Sequence, residues 1–590
     1  MKSLAHLNKY LWKYRWRLLV GFLFILASNV IQAILPAKVH DAIEAFSEFI
    51  KEYPNVIDKE AYFSETILTY GIYILFVYLG LSILRGIFVF LMRQTIIIVS
   101  RKIEYDLKNE IFDQYQRLSM SFYKRNNTGD LMNRISEDVT KVRMYLGPAI
   151  MYTMNLICLF VVLFIFMVQT SWELTLWTLI PLPIMSVLIY LVSSTMNKRS
   201  ELVQRQQSKL TTFVQEMFSG IRVIKSYNRQ HDALNNFGNE SNEYKKRSLS
   251  LVLVNALFMP IIILLIGIST IITIYVGGIQ TIDGEITSAD IVQFVIYVNM
   301  LTWPFASIGW VTSIVQRAAA SQERINEFMD EKPEIVSGEL APDKIDGTIE
   351  FKNVSFTYPD SGIQALKGID FKVEPGKTLA IIGRTGSGKS TITDLVGRLY
   401  DATAGSILID GHQITELNLD SLRSNIGYVP QEVFLFSESI ENNIRFGIDT
   451  EVDFETIVQA AKDAHIHHNI IEFKEQFDTV LGERGITLSG GQKQRISIAR
   501  ALVRQPNILI FDDCLSAVDT ETEEEILSNL KRIMAGKTTI IVSHRISSIQ
   551  HADEIIVIDD GKIIERGRHQ ELLDAKGSYR DLYDKQLSEA

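Results

Sequence analysis

Cysteine is nearly absent from this chain of 590 residues, which carries only Cys158 and Cys514. Cys158 falls in a long apolar stretch and Cys514 follows two acidic residues, so a disulfide framework of the kind that holds small secreted domains is excluded. An excess of basic residues is also lacking, because the formal net charge is −10. This charge gives no support to nucleic-acid binding, and we predict no nucleic-acid partner.

Glycine and proline are missing from two long segments, Ile87 to Lys124 and Ile184 to Ser219. Because these residue types most often interrupt a helix, each segment is free to continue as one helix. The first segment continues the apolar span before it, which predicts one helix over about 66–116. At 1.5 Å per residue this helix is roughly 75 Å long, more than twice the bilayer core of about 30 Å. Both helices therefore project beyond a membrane, and they end near turns at 124–130 and 219–230.

Long apolar sequence, by contrast, is abundant before residue 313. Stretches such as LLVGFLFILA are apolar on every face, which argues against buried helices of a soluble protein. The first stretch follows a basic leader without a convincing cleavage site, which favours a retained signal anchor over a cleaved signal peptide. Each stretch has about the 20 residues that a membrane-crossing helix needs. The six predicted spans are about 17–40, 66–95, 145–170, 173–195, 250–278 and 288–312.

The charges around the first span predict its orientation. Basic residues dominate the sequence before residue 18, whereas the loop at 41–65 is mainly acidic. Basic flanks stay on the cytoplasmic side of a membrane helix, so the N-terminus is predicted to be cytoplasmic. Six crossings return the chain to that side, which places the segment after 320 in the cytoplasm and the spans in the cytoplasmic membrane.

The sequence pattern changes after a linker at 322–346 that is rich in charged and turn residues. Short β-branched strands then alternate with helices, which predicts an α/β domain around a mostly parallel sheet. Residues 383–390 read GRTGSGKS and match the phosphate-binding pattern G-x-x-x-x-G-K-[ST]. Since the strand KTLAIIG precedes this loop and the helix STITDLVGRLY follows it, loop amides and a helix N-terminus converge on a phosphate site.

Two further strings in this domain carry a family resemblance. LSGGQ at 488–492 and PNILIFDD at 506–513 resemble the signature of ATP-binding cassette (ABC) proteins, and the whole chain resembles a type IV, exporter-type ABC half-transporter of the multidrug or lipid-flippase kind. The resemblance implies an all-α six-helix transmembrane domain over 1–321 with long cytoplasmic helical extensions, followed by an α/β P-loop ABC ATPase domain over 347–590. The turns near 117–130 and 211–220 correspond to coupling loops, which dock on nucleotide-binding domains.

The same resemblance implies a site for ATP and Mg²⁺. Tyr358 in FTYP matches the aromatic residue that stacks on adenine, and Lys389 matches the lysine that reaches the β- and γ-phosphates. Mg²⁺ is expected to bind oxygen ligands of Ser390, Gln431 and Asp512, directly or through water. Other implied nucleotide contacts come from the loop residues Gly383, Arg384, Thr385, Gly386, Ser387, Gly388 and Thr391.

Four residues have implied catalytic roles: Asp513, His544, Gln431 and Lys389. His544 in IVSHR matches the switch histidine that senses the γ-phosphate, and Gln431 in YVPQ matches the residue that touches Mg²⁺ or the attacking water. In the family, each ATP is held between the phosphate loop of one subunit and the signature of the other. The residues implied at that seam are Ser489, Gly490, Gly491, Gln492 and the acid Asp519 in SAVD.

Asp513 departs from the family pattern, in which a Glu follows the magnesium-binding Asp. The shorter side chain predicts weak hydrolysis, because a general base needs a heavy-atom reach of about 2.6–3.2 Å. One subset of the family pairs such a subunit with a partner that keeps the Glu but has an altered signature. This favours a heterodimer of two half-transporters, although the intact LSGGQ and His544 also suit a homodimer.

We therefore predict ATP-driven export or flipping of a hydrophobic or amphipathic substrate, such as a drug or a lipid, by alternating access in a dimer. A regulatory or channel-like subunit, in which ATP gates rather than pumps, is the alternative. Polar residues within the spans either line a cavity or form hydrogen bonds between helices. They include Asn29, Gln32, Asn155, Asn255, Gln293 and Asn299, together with Arg85, which suits an anionic head group or a structural pair.

Overall fold

A computed structural model describes residues 2–448, 452–482, 488–514 and 531–589. Contacts divide the chain into two compact units. Met1–Gln114 and Gly129–Asp330 form the first unit, and Tyr115–Thr128 and Glu331–Ala590 form the second. The first unit is helical and the second combines helices with sheets, which confirms the predicted fold class.

Long helices make up nearly all of the first unit. They are joined by 3₁₀ segments (Lys2–Leu7 and Tyr53–Asn55) and π-helical segments (Phe63–Leu68, Arg134–Asp138 and Tyr145–Ala149). In chain order, the α-helices before residue 331 are α1 (Asn8–Lys13), α2 (Arg15–Glu52), α3 (Lys59–Tyr62), α4 (Thr69–Arg117), α5 (Met120–Arg125), α6 (Thr128–Asn133), α7 (Val139–Met144), α8 (Ile150–Thr170), α9 (Trp172–Leu179), α10 (Pro181–Ser219), α11 (Ile221–Ser226), α12 (Gln230–Ile282) and α13 (Ser288–Met329).

Six helical segments within the described residues are long and apolar enough to cross a membrane, and each contains one predicted span. They are Arg15–Asn55, Lys59–Arg117, Thr128–Thr170, Trp172–Ser219, Gln230–Ile282 and Ser288–Met329. Two predicted boundaries differ from the structure. The range 211–220 is helical up to Ser219, and the 322–346 linker begins inside α13, which ends at Met329. Neither stretch contains a helix breaker before the observed end.

Several polar side chains within the spans form hydrogen bonds between helices. Asn29 Nδ2 donates to Asn155 Oδ1 (3.1 Å), which joins α2 to α8, and Tyr297 Oη donates to the backbone oxygen of Ala33 (3.1 Å). Arg85 Nη2 donates to Gln32 Oε1 (2.9 Å). These contacts favour the structural interpretation for the residues that form them, because a hydrogen bond between helices satisfies groups that lipid cannot. Asn255 and Asn299 are exposed instead.

The second unit contains two sheets in the part of the chain that the structure describes. Their strands are β1 (Ile349–Thr357), β2 (Gln364–Val373), β3 (Thr378–Gly383), β4 (Ala404–Ile409), β5 (His412–Gln413), β6 (Ile426–Val429), β7 (Ile508–Asp512), β8 (Thr538–Val542), β9 (Glu554–Asp559) and β10 (Lys562–Gly567). One sheet is antiparallel with strand order β2-β1-β4-β5, and the other has the order β10-β9-β3-β8-β7-β6 and is parallel except for β10.

Helices pack around these sheets and complete two apolar cores. Because β3, β8 and β7 are neighbouring parallel strands, their carboxyl ends meet at one edge of the sheet. The helices are α14 (Lys389–Val396), α15 (Leu419–Ser424), α16 (Ile440–Arg445), α17 (Phe454–Asp463), α18 (His467–Glu472), α19 (Gly490–Leu502), His569–Asp574 and Ser578–Glu589, with a 3₁₀ turn at Gln476–Asp478.

Candidate functional site

The phosphate-binding loop connects the end of β3 to the start of α14. Gly386 and Gly388 have φ values of +81° and +103°, which residues with a side chain rarely adopt. A Cβ on Gly388 would lie 2.5 Å from the backbone oxygen of Ala365, and one on Gly383 would lie 2.0 Å from that of Ile558. The shape of the loop therefore depends on glycine, as the motif predicts.

Lys389 is the first residue of α14 and its side chain is buried against the loop. Its Nζ donates to the backbone oxygens of Gly383 (3.0 Å) and Arg384 (2.8 Å). Burial lowers the pKa of Lys389, and the negative charges of Asp513 and Asp512 oppose that shift. The loop thus holds the ammonium group in the position from which it can contact a phosphate.

Asp512 lies at the end of β7 and is joined by hydroxyl groups to α14. Ser390 Oγ donates to Asp512 Oδ1 (3.1 Å) and Thr393 Oγ1 donates to Asp512 Oδ2 (3.3 Å). Burial raises the pKa of Asp512, and the nearby Asp513 adds to the shift. Hydroxyl and carboxylate oxygens are ligands that suit Mg²⁺.

Two observations test whether the residues fit a magnesium nucleotide. Ser387 Oγ, inside the loop, is buried without a hydrogen-bond partner among the described residues, as expected for a group that awaits a phosphate oxygen. The described residues also contain no cluster of three or more His, Cys, Asp or Glu side chains that could hold a metal alone. Ser390 and Asp512, which are hydrogen-bonded to each other, and Gln431, which lines the same cavity, provide oxygen atoms of the kind that suits Mg²⁺.

Asp513 follows β7 in a left-handed conformation, with φ +46°. Its backbone N–H donates to the backbone oxygen of Val542 (2.9 Å), which fixes the residue against β8. Gln431 Nε2 donates to Asp513 Oδ2 at 3.4 Å. Asp513 is therefore buried, with its backbone bonded to β8 and its carboxylate next to Gln431, beside Lys389 and Asp512.

Tyr358 follows β1 and is held by its hydroxyl group and its ring. The hydroxyl lies 3.0 Å from Thr391 Oγ1. Thr391, which is predicted to contact the nucleotide, therefore also supports Tyr358. The ring meets those of Phe356 and Tyr400 edge-on, with centroids 4.8 and 5.5 Å apart. The ring is thus oriented before any base binds.

A cavity of about 360 Å³ brings many of the predicted residues together at this edge of the sheet. Its predicted lining residues are Tyr358, Thr385, Gly386, Gly388, Lys389, Ser390, Thr391, Gln431, Asp512, Asp513 and His544. Gly383, Arg384 and Ser387 belong to the same loop but are not among the described lining residues. An arrangement of this kind can bind a triphosphate, hold Mg²⁺ and position a carboxylate near the reacting phosphate.

Six other residues line the cavity without belonging to a predicted motif position: Ile363, Gln364, Ala365, Val542, Asp560 and Gly561. Gly561 lies in the turn between β9 and β10, and its N–H donates to the backbone oxygen of Ser387 (3.2 Å). The string DDG at 559–561 is a recognisable turn signal. That signal locates a hairpin, but only the strand order places the hairpin beside the loop.

The signature residues lie elsewhere in the second unit. Ser489 caps α19, since its Oγ accepts from the N–H of Gln492 (3.3 Å) while Gln492 Oε1 accepts from the N–H of Ser489 (3.0 Å). Neither these two residues nor Gly490 and Gly491 are among the described residues that line the cavity. The predicted seam residue Asp519 lies outside the described residues.

Comparisons with known proteins agree with this arrangement. Residues 18–305 match the family described as ABC transporter transmembrane region, and residues 366–516 match the family described as ABC transporter. The chain is similar to the probable multidrug resistance ABC transporter ATP-binding/permease protein YheI of Bacillus subtilis, with 36% identity over 588 residues, which are 99% of this chain and 97% of the relative.

Two other relatives extend the similarity. The uncharacterized ABC transporter ATP-binding protein YknU of Bacillus subtilis is 34% identical over 588 residues, 99% of this chain and 98% of its own length. An ATP-dependent lipid A-core flippase of Haemophilus influenzae is 36% identical over 515 residues, 87% of this chain and 88% of its own length.

Proposed function

Because the chain belongs to the ABC transporter family, as a type IV exporter half-transporter with fused membrane and ATPase domains, we propose that it exports or flips a hydrophobic or amphipathic substrate, such as a drug or a lipid. The chain is a multi-pass membrane protein and an ATP-hydrolysing transporter. The observation that carries the proposal is the presence, in one chain, of six candidate spans and the cavity that gathers the phosphate loop, Asp512, Asp513 and His544. The N-terminus and ATPase domain are proposed to be cytoplasmic and the membrane is proposed to be the cytoplasmic one.

The residues of the cavity have separable roles in this proposal. Loop amides and Lys389 bind the phosphates, while Ser390, Gln431 and Asp512 hold Mg²⁺, which neutralises phosphate charge when bound. Asp513 orients the attacking water and accepts its proton, and His544 senses the γ-phosphate. Tyr358 supplies a ring for the adenine base to stack on.

We propose that two half-transporters share the nucleotides. Ser489 and its neighbours lie at an exposed helix N-terminus and not in the cavity of their own chain, which supports a role toward the phosphate of the other subunit. ATP then favours the closed dimer, since only that state completes both halves of each site. If closure of the dimer moves the membrane helices, the transporter alternates between inward-facing and outward-facing states.

The turn between α10 and α12 is the proposed second coupling element. Phe218 and Tyr227 are 72% and 75% exposed in this charged, extramembrane region, and Val223 between them is 61% exposed. Large apolar side chains at an exposed helical tip suit a contact with another protein domain. We propose that the domain contacted here is a nucleotide-binding domain.

A heterodimer is the proposed assembly, because Asp513 is short for a general base. Its backbone N–H bonds to Val542, and its carboxylate lies 3.4 Å from Gln431 Nε2. A partner that keeps Glu at this position would hydrolyse ATP against the LSGGQ of this chain. Weak hydrolysis at Asp513 would also suit a channel-like subunit that ATP gates. The transport experiment described next distinguishes that subunit from an exporter.

The decisive experiment is transport in proteoliposomes that contain the chain with any copurified partner. We expect ATP-dependent movement of a fluorescent phospholipid or of a cationic dye, and loss of that movement in Lys389→Ala. A matched control is Lys377→Ala, which removes an exposed lysine just before β3 that pairs with Asp553 at 3.0 Å. Retained transport in Lys389→Ala, or ATP-dependent ion conductance without substrate movement, would contradict the proposal.

A further inference from the structure

Lys124 lies on the short helix α5, which belongs by its contacts to the same compact unit as the ATPase domain. Its Nζ is 4.4 Å from the centroid of the Tyr358 ring and 5.1 Å from that of Tyr400. An ammonium group at these distances from two rings makes a cation–π contact. The helix of the first predicted coupling loop therefore touches the residue on which adenine is expected to stack.

Tyr358 lines the nucleotide cavity, whereas Lys124 and Tyr400 are not among the described lining residues. The hydroxyl contact with Thr391 and the edge-on contact with Tyr400 orient the ring. The contact between Lys124 and the ring therefore lies outside the described lining of the cavity.

Lys124 also acts on the helix that carries the phosphate loop. Burial raises the pKa of Asp394 on α14 to about 6, and the positive charge of Lys124 opposes that shift. The remainder of α5 is attached differently: Ser121 donates to Glu334, and Arg125 Nη2 lies 3.0 Å from Glu334 Oε1. Among Ser121, Lys124 and Arg125, the contact with the Tyr358 ring is made by Lys124, and Arg125 provides a nearby comparison.

We propose that Lys124 is a positioning residue that couples occupancy of the base site to α5, a role that rests on the proposed function of the cavity as an ATP site. A cation on one face of the ring draws π-electron density toward itself, which reduces repulsion with a base stacked on the opposite face. Binding couplings are reciprocal, so a base that binds more tightly because of Lys124 must also strengthen the hold on α5.

The test compares nucleotide binding with and without a base in the full-length protein. We expect Lys124→Met to weaken Mg-ATP binding about two- to fivefold, as suits a cation–π contact of a partly exposed lysine. Binding of Mg-tripolyphosphate, which has no base, should not change. Lys124→Arg should restore ATP binding, and Arg125→Met, the matched control on the same helix, should leave the ratio of the two affinities unchanged.

A double variant and a second measurement complete the test. In a Tyr358→Leu background, Lys124→Met should have no further effect on ATP binding. ATP, but not tripolyphosphate, should slow hydrogen exchange at the backbone amides of residues 120–125 in the wild type and not in Lys124→Met.

Three outcomes would overturn the proposal. They are an equal loss for ATP and tripolyphosphate, tighter ATP binding in Lys124→Met because the lysine had obstructed the base, and an undiminished effect of the substitution without Tyr358. These measurements need no transport, so a failure of the transport function would be seen separately, as ATP binding without substrate movement.

Discussion

Asp513 stands where the family resemblance predicts a glutamate, and its side chain is one methylene shorter. Its backbone has a φ of +46° and is bonded to Val542, so the backbone is held where the missing length would have to be compensated. One additional carbon–carbon bond would advance the carboxylate by about 1.5 Å. A shift of that size can decide whether the carboxylate forms a direct hydrogen bond with the attacking water.

We accordingly predict that Asp513→Glu raises ATP hydrolysis by the chain about tenfold or more, because general-base catalysis typically contributes about 10²–10⁴-fold. Phosphate release from the purified, reconstituted chain measures the effect. Asp513→Asn is the control and should reduce the rate further. A wild-type rate ordinary for the family, with no gain in Asp513→Glu, would show that the aspartate is sufficient.

The phosphate loop is an element whose geometry depends on single glycines. Gly388 has a φ of +103° and lies where a Cβ would meet the backbone oxygen of Ala365 at 2.5 Å, whereas Gly411 has a φ of +81° and no neighbour within 4 Å of an added Cβ. Comparing these two glycines separates two effects of an added side chain. At both positions a side chain must adopt an unfavourable positive φ, and of the two only Gly388 also places it against backbone atoms.

We predict that Gly388→Ala abolishes high-affinity ATP binding, because the loop must move to relieve the clash. Gly411→Ala should lose only about 1–2 kcal/mol of stability, the cost of a left-handed residue with a side chain, and keep its ATP affinity. Equilibrium ATP binding and thermal unfolding measure the two effects. Equal ATP affinity in the two variants would mean that the loop tolerates a side chain.

The start of α19 is an element whose stability and proposed function can be separated. Ser489 caps the helix, and aspartate and asparagine are equally good caps. Ser489→Asp and Ser489→Asn should therefore both keep the unfolding temperature. The charged variant alone places a carboxylate where a partner's phosphate is proposed to bind.

We predict that Ser489→Asp reduces ATP hydrolysis by the assembled transporter at least about tenfold, while ATP binding by the phosphate loop of the same chain is unchanged. Ser489→Asn should retain most of the activity. Phosphate release by the assembly and ATP binding by the isolated chain are the two measurements. A loss of ATP binding equal to the loss of hydrolysis would place the signature and the loop in one site of one chain.

At the scale of the whole molecule, the proposed partner decides how ATP is used. We predict that tagged chain purified from its native membrane brings down a second ABC half-transporter with Glu at the position of Asp513 and a changed signature. Mass spectrometry identifies the partner, and coexpression with it should restore rapid hydrolysis. Recovery of only copies of this chain would establish a homodimer and contradict the heterodimer.

Much of the fold was predictable because its signals are local. The spans at 17–40 and 250–278 follow from uninterrupted apolar sequence, and the loop at 383–390 follows from glycine spacing beside a buried strand. The end of α10 at Ser219 agrees with the predicted turn at 219–230, but the end of α13 was harder to predict. Charged, breaker-free sequence continues a helix without indicating where packing stops it, so α13 extends to Met329 inside the predicted linker.

Local sequence was therefore enough to identify a membrane protein with a phosphate-binding ATPase domain, since hydropathy and loop motifs act over neighbouring residues. Only tertiary packing decided which distant residues share the nucleotide cavity. The order β9-β3-β8-β7 brings the turn at Gly561, the loop at Lys389 and the carboxylate of Asp513 to one edge. The contact of Lys124 with Tyr358 depends on the packing of α5, because no pattern along the chain links positions so far apart.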